Sequence, residues 1–324
     1  MHLSTSTSEN RDGLFSASKT HILKLAGTRL KKCVAIAPRL LVDDDPKDIH
    51  DLRVSCRRLQ QVIALLFPKP RRGKSRKVLR SLRDLRRDWN ACRNLDVNLD
   101  LLQEKLKSPN TDRARDAWDQ VREYMSELRA QEFAGARKRL RRLDLFALIE
   151  KTRQLLEAVK IETVQELNFR DSLSDTRVQW HAALTRAKSS KEPKHLHELR
   201  ISGKRLRYRF EVLAELGDDA AKSHEKSLKA LQDELGGWHD RHVLLDFVTE
   251  LSEKPDFVSD QPEVQQTLSR DIDAERQKNN AAIDAILKQA EMLQLGLANC
   301  KPAGQPEDDI PPPIKSSTAS QAIT

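Results

Sequence analysis

The sequence predicts an all-α protein built by internal duplication, and three observations carry that prediction. First, the stretch "IHDLRVSCRRL" at 49–59 returns as "LHELRISGKRL" at 196–206. Between His50–Leu59 and His197–Leu206 six of ten positions are identical, and Asp51/Glu198, Val54/Ile201 and Arg57/Lys204 are conservative. Only Cys56/Gly203 breaks the run. Second, aromatics are 4% of the 324 residues, charged residues are 33%, and there are only 10 glycines. Such a mixture of Leu, Ala, Arg, Lys and Glu suits long helices packed by aliphatic side chains. Third, Leu52, Cys56, Leu59, Ile63 and Leu66 form a stripe at 3–4 spacing, as do Leu199, Gly203, Leu206, Phe210 and Leu213.

Taken in order, the chain opens with a Ser/Thr-rich stretch at 1–17, expected to be a disordered tail. The first half, 18–160, is punctuated by "DDDP" at 43–46, "PKPRRG" at 68–73 and "SPN" at 108–110. The second half, 161–298, is punctuated in the same order by "KEP" at 191–193, "LGDD" at 216–219 and the stretch from Pro255 to Pro262. Segments of roughly 20–35 residues with helical period lie between these breakers, so each half reads as about four helices in an antiparallel bundle. Further matches extend the repeat: "GTRLKK" at 27–32 with "DTRVQW" at 175–180, and "RSLRDLRRDWNACRNLDVNLDLL" (80–102) with "KSLKALQDELGGWHDRHVLLDFV" (226–248). The last pair is expected to end in an Asn/Asp turn followed by an apolar run. The Pro-rich stretch 299–324 has no core-forming spacing and is expected to be a second disordered tail.

Four cysteines (Cys33, Cys56, Cys92, Cys300) show no C-x-x-C pairing and read as small core residues in a reducing compartment. The N-terminus has no apolar leader region, and the longest apolar run, "VIALLF", is too short to span a bilayer. A cytoplasmic protein is expected. The net charge of +9 and pI near 9.4 favour an anionic partner.

The repeated stretch carries the chemistry. With about 100° per residue, and Leu52 facing the core, His50, Arg53 and Arg57 cluster on one flank. His197, Arg200 and Lys204 do the same in the second copy, with Arg207 one turn on. Cations stacked this way repel each other unless something anionic lies among them. A phosphate polymer suits them, because guanidinium forks bind phosphate oxygens bidentately and lysine adds a point charge. His50 and His197 either join as charged donors or serve the structure as neutral ones.

These residues resemble a known family. "HDLRVSCRRL" and "HELRISGKRL", with "RNLDVNLDLL" and "HDRHVLLDFV", are similar to the two signature regions of the CHAD family (conserved histidine α-helical domain), across roughly residues 18–298. The resemblance implies two four-helix bundles related by a pseudo-twofold axis, with inorganic polyphosphate bound in a basic cleft between them. It points to His50, Arg53, Arg57, His197, Arg200 and Lys204, and more weakly to Arg58, Arg205, Arg29, Arg177, Lys32 and Arg207. It also implies association with polyphosphate storage granules. Family members often carry a triphosphate-tunnel domain ahead of this region. Its E-x-E-x-K motif is absent here and residues 1–17 are too short to hold it, so no hydrolase partner is expected in this chain. In "CRNLD" at 92–96, Asn94 stands where the family has an acid, and no phosphate contact is assigned there.

Rival chemistries draw less support. His239 and His242 could share a helix face around a metal, but the first half has Arg93 and Asp96 at those places, so no metal is assigned. The "HD" at 239–240 is a two-residue match to metal-dependent phosphohydrolases. There is no Gly-rich phosphate loop and no G-x-S-x-G, so neither catalysis nor a cofactor is expected. Nucleic acid would bind the same ladder. It is disfavoured because Trp89, Trp118, Trp180 and Trp238 sit at or near apolar helical positions rather than as exposed stacking platforms.

Overall fold

The structure is a computed structural model that describes residues 6–67, 73–107, 111–159, 166–215, 218–254, 257 and 262–298. The described elements are α1 (Ser6–Ile36), a short 3-10 turn (Arg39–Leu41), α2 (Pro46–Leu66), α3 (Lys74–Asp88), α4 (Asn90–Leu106), α5 (Asp112–Arg142), α6 (Leu145–Glu157), α7 (Glu166–Ser190), α8 (Pro193–Glu215), α9 (Asp219–Ser252), α10 (Pro262–Ala281) and α11 (Ile283–Ala298). No strand occurs among the described residues. Four helices start on a side-chain cap. Asp45, Thr111, Asp144 and Asp218 accept from the N–H groups of Lys47, Ala114, Ala147 and Ala221, satisfying donors that the first turn leaves free. Helix α1 begins at Ser6, inside the stretch expected to be tail. The C-terminal stretch 299–324 and Cys300 lie outside the described residues.

The apolar stripes assemble three cores. Helices α1, α2, α3 and α6 enclose Leu52, Cys56, Leu59, Ile63, Leu82 and Leu148, with Phe133 and Ala136 of α5 closing one end. Helices α7, α8, α11 and the first half of α9 enclose Trp180, Leu199, Leu206, Leu228 and Leu287. These are the two expected four-helix bundles. The third core was not expected. There α4 and α5 meet the second half of α9 and α10 around Leu102, Trp118, Met125, Leu245 and Leu268. Across the halves α2 meets its counterpart α8, α4 meets α9 and α5 meets α10, and α2 also touches α7. Halves related by a twofold pack in this way. No described helix is long and apolar enough to cross a membrane.

The expected Asn/Asp turn is absent. Asn94 and Asp96 lie inside α4, and the break comes earlier, at Trp89, which is fully buried against Phe133. The second half runs through the same place as one 34-residue helix, with Gly236 and Gly237 inside it. All four tryptophans are buried, at 2% exposure or less.

The one break in the repeated stretch has a packing reason. Cys56 sits against Cys33, sulfur to sulfur at 3.9 Å. The Thr-Arg match in the sequence sets Lys32 against Trp180, but the pattern of buried positions runs one residue out of that register and puts Trp180 in the place of Cys33. A β-carbon on Gly203 would lie 3.4 Å from Trp180 Nε1. Two small residues in one half are therefore replaced by a large one and a bare backbone in the other, keeping the interior filled.

The halves are tied together by a buried carboxylate. Glu211 of α8 is 3.1 Å from Arg29 of α1, 2.9 Å from Arg58 of α2 and 3.3 Å from Arg207 of its own helix. Glu215 and Glu225 take further ion pairs from Arg29 and Arg207. Removing Glu211 would strip Arg58 of its carboxylate and leave Arg29 with Glu215 alone and Arg207 with Glu225 alone. The Glu211→Ala variant is expected to lose about 3–5 kcal/mol of stability. A lower urea midpoint at unchanged slope would report it; an unmoved midpoint would show that the halves are held by apolar packing alone.

Candidate functional site

Because Leu52, Cys56 and Leu59 lock α2 into its own core, and Leu199, Gly203 and Leu206 lock α8, the basic flanks of the two helices are turned toward their crossing. Arg57 lies at the centre. Its charge acts on Arg53 and Arg86 from its own half and on Arg200 and Lys204 from the other. Arg57 also donates to the Tyr208 hydroxyl at 3.4 Å across the crossing. Arg53 is held by the Arg86 carbonyl at 3.1 Å and by the Asn90 side chain. On α9, Asp240 stands 3.7 Å from Arg200, and the His239 ring lies 4.8 Å from that of His197. The Arg86 Nε, Arg200 Nε and His197 Nδ1 atoms are buried with no hydrogen-bond partner. Buried donors without acceptors are costly, and a cluster of them is matched by a ligand made of acceptors.

The electrostatics record the same crowding. Burial, then Arg57, Arg86 and Arg93, push the Arg53 guanidinium down to about 10. Burial, then Arg200 and Arg57, bring the Lys204 ammonium down to about 7. Burial and the nearby cations take His239 down to about 3. Burial lowers His50 below 6.5, with Arg93 adding to it, and it lowers His197 likewise, with Arg200 adding. Burial and the surrounding cations thus favour the neutral form of both ladder histidines in the free protein.

Six candidates from the sequence thus converge: His50, Arg53, Arg57, His197, Arg200 and Lys204. The weaker six are engaged elsewhere or stay on the surface. Arg29, Arg58 and Arg207 are bound in the Glu211 network, though Arg207 still adds to the field at Lys204. Arg177 donates to the Leu297 carbonyl, Arg205 donates to Gln179 at 3.2 Å on an exposed face, and Lys32 is exposed on α1. The structure adds Arg86, Arg93, Tyr208 and His239. Arg93 and His239 are counterparts in the repeat, and each stands beside the ladder histidine of its own half. The signal in the sequence is that these two residues occupy one position of the repeat, Arg93 beside His50 and His239 beside His197.

The suggested metal pair takes other partners. His239 lies against His197, while His242 stacks on Trp238 at 5.3 Å with its Nε2 3.3 Å from Asp246. Among the described residues no group of three or more His, Cys, Asp or Glu is placed to hold a metal ion.

A family model described as the CHAD domain matches residues 24–249. The crystal structure of the CHAD domain from the plant Ricinus communis is similar in fold, with a TM-score of 0.65 at 20% identity, covering 84% of this chain and 91% of that one. No curated protein matches.

Lys204 gives a stability prediction. In the unfolded chain its ammonium regains the ordinary value of 10.5, so between about 7 and 10.5 the unfolded state binds more protons and stability rises with pH. Below pH 7 the lysine is charged in both states and the folded state bears the full cost of burying it. Lys204→Met is expected to be more stable than wild type by about 1–3 kcal/mol near pH 6, the gap closing toward pH 9. Thermal melts at the two pH values test this. A gap that does not change with pH would mean that Lys204 is not the group titrating.

Proposed function

The chain belongs to the CHAD family, and on that premise we propose that it binds inorganic polyphosphate at the α2–α8 crossing without turning it over. One observation carries the proposal: the same two helices bear two sets of half-buried cations, and among the described residues only one set is neutralised. Around Glu211 each guanidinium has a carboxylate. One turn away on α2, Arg53 and Arg57 face Arg200 and Lys204 with Asp240 alone among them, 3.7 Å from Arg200. A protein that stabilised this crossing for its own sake would have placed a second acid there.

Polyphosphate fits the vacant chemistry because it carries acceptors along its whole length and no donors that compete with the site. A chain lying along the crossing meets the first ladder and finds the second already at high effective concentration. The groups that converge are guanidinium, ammonium, imidazole and phenol donors, suited to holding a polyanion. The burial of all four tryptophans leaves the indoles unavailable as stacking platforms for bases, which favours polyphosphate over single-stranded nucleic acid. Such a binder would act in the cytoplasm at phosphate-storage granules.

Competition between long-chain polyphosphate and single-stranded DNA of equal phosphate count tests the assignment. Polyphosphate is expected to win by about two orders of magnitude. Arg53→Ala with Arg200→Ala should erase that margin, while Lys138→Ala with Arg141→Ala on the exposed end of α5 leaves it in place. Equal losses from the two pairs would reduce the site to general charge. Orthophosphate release during prolonged incubation would refute the absence of turnover.

Proton linkage supplies a second test. A bound polyanion raises the Lys204 value from about 7 toward its ordinary 10.5, so binding takes up a proton in that window. Affinity is expected to fall by up to about tenfold per pH unit as pH rises from 7 to 9. Lys204→Arg, charged throughout, should flatten that slope. Burial and the neighbouring cations lower both ladder histidines in the free protein, and a bound polyanion opposes that shift, so any histidine it charges adds to the slope in the same direction.

A further inference from the structure

We infer that the bound polymer leaves the crossing in one direction only, along an arginine track on the outer face of α3. This rests on the polyphosphate reading above and extends its site. Seven of the fifteen residues of α3 are Lys or Arg, against two aspartates, and one of those, Asp88, is paired with Arg139 at 2.9 Å. Arg80, Arg83 and Arg87 are exposed and have no ion pair among the described residues. At about 100° per residue they fall within about 60° of one another, as a straight stripe on the side away from Val78, Leu82 and Leu85. Like charges at this spacing repel and weaken the helix that carries them, so the stripe is not there for the stability of α3.

The stripe is joined to the crossing. Arg86 feels the charge of Arg57 on one side and that of Arg83 on the other, and its Nε is buried without a partner. Arg83 lies about 60° further round the helix from Arg86, so the cations step from the buried cluster to the open face without a gap. A phosphate chain can pass from Arg57 to Arg86 to Arg83 and then run along Arg80 and Arg87.

The second half lacks this exit. In the repeat, Arg86 is matched by Gln232, whose side-chain oxygen accepts from Arg207 at 2.9 Å. Arg87 is matched by Asp233, while Arg80 and Arg83 are matched by Lys226 and Lys229. The joint is a neutral amide on an arginine that Glu211 and Glu225 already pair, and the far end is acidic. The pseudo-twofold that gives the crossing two equal ladders therefore does not give it two equal mouths.

The experiment compares tripolyphosphate with long-chain polyphosphate on the full chain. Arg80→Gln, Arg83→Gln and Arg87→Gln combined should weaken long-chain binding about tenfold and lower its salt dependence, while tripolyphosphate stays within about twofold. The matched triple Lys222→Gln, Lys226→Gln and Lys229→Gln should change neither, with circular dichroism confirming that both variants fold. Equal effects of the two triples, or no effect of the α3 triple on a long chain that wild type binds, would overturn the track and leave the crossing intact. Failure of wild type to bind either phosphate would instead overturn the site itself. Loss of single-stranded DNA binding in the α3 triple with polyphosphate unaffected would make the stripe a nucleic-acid surface and refute the inference.

Discussion

The arrangement of the crossing depends on Glu211. Its carboxylate gathers guanidiniums from α1, α2 and α8, and so pins the helix whose next residues form the cationic cluster: Arg58 is bound to Glu211 while Arg57, its neighbour in sequence, faces Lys204. A half-buried cluster of like charges pushes its helices apart. It persists where neighbouring interactions over-determine the geometry, as they do here with an ion-pair network on one side and apolar cores on the others. The cost left in the cluster becomes a source of ligand affinity, since an anion that binds the folded state alone relieves it by mass action.

The packing of α2 on α8 explains why the cluster forms at all. A twofold arrangement brings α2 against its own counterpart α8, so any basic flank on one is doubled at the contact. Within that frame the halves have diverged in pairs. Cys33 with Cys56 became Trp180 with Gly203, and Arg93 became His239. The two sides of the site are similar but not identical. The first half contributes Arg53, Arg57, Arg86 and Arg93 beside His50, and the second contributes Arg200 and Lys204 beside His197 and His239.

The third core also joins the two halves of the chain. Each half lends a helical pair, α4 with α5 and α9 with α10, to a bundle that neither could close alone. Its apolar burial makes the halves one body, so the crossing is a fixed surface and not a hinge between separate bundles.

Much of this was legible in the sequence. The apolar stripe through Leu52, Leu59, Leu199 and Leu206 determined which flank of each helix is basic, because side-chain direction on a helix follows from spacing alone. The repeat determined that the flank occurs twice, and the breakers placed most helix boundaries. What spacing could not supply was the partner of each charge. Arg53 and Arg58 look alike in sequence, yet one faces other cations and the other a carboxylate from 153 positions further along the chain. Arg86 and Arg93 sit on helices that the sequence could not orient against α2, and the shared bundle joins residues from opposite halves. Local periodicity reports which way a residue points along its own helix; only the packing of helices decides what it meets there, and for charged groups that meeting sets the energy.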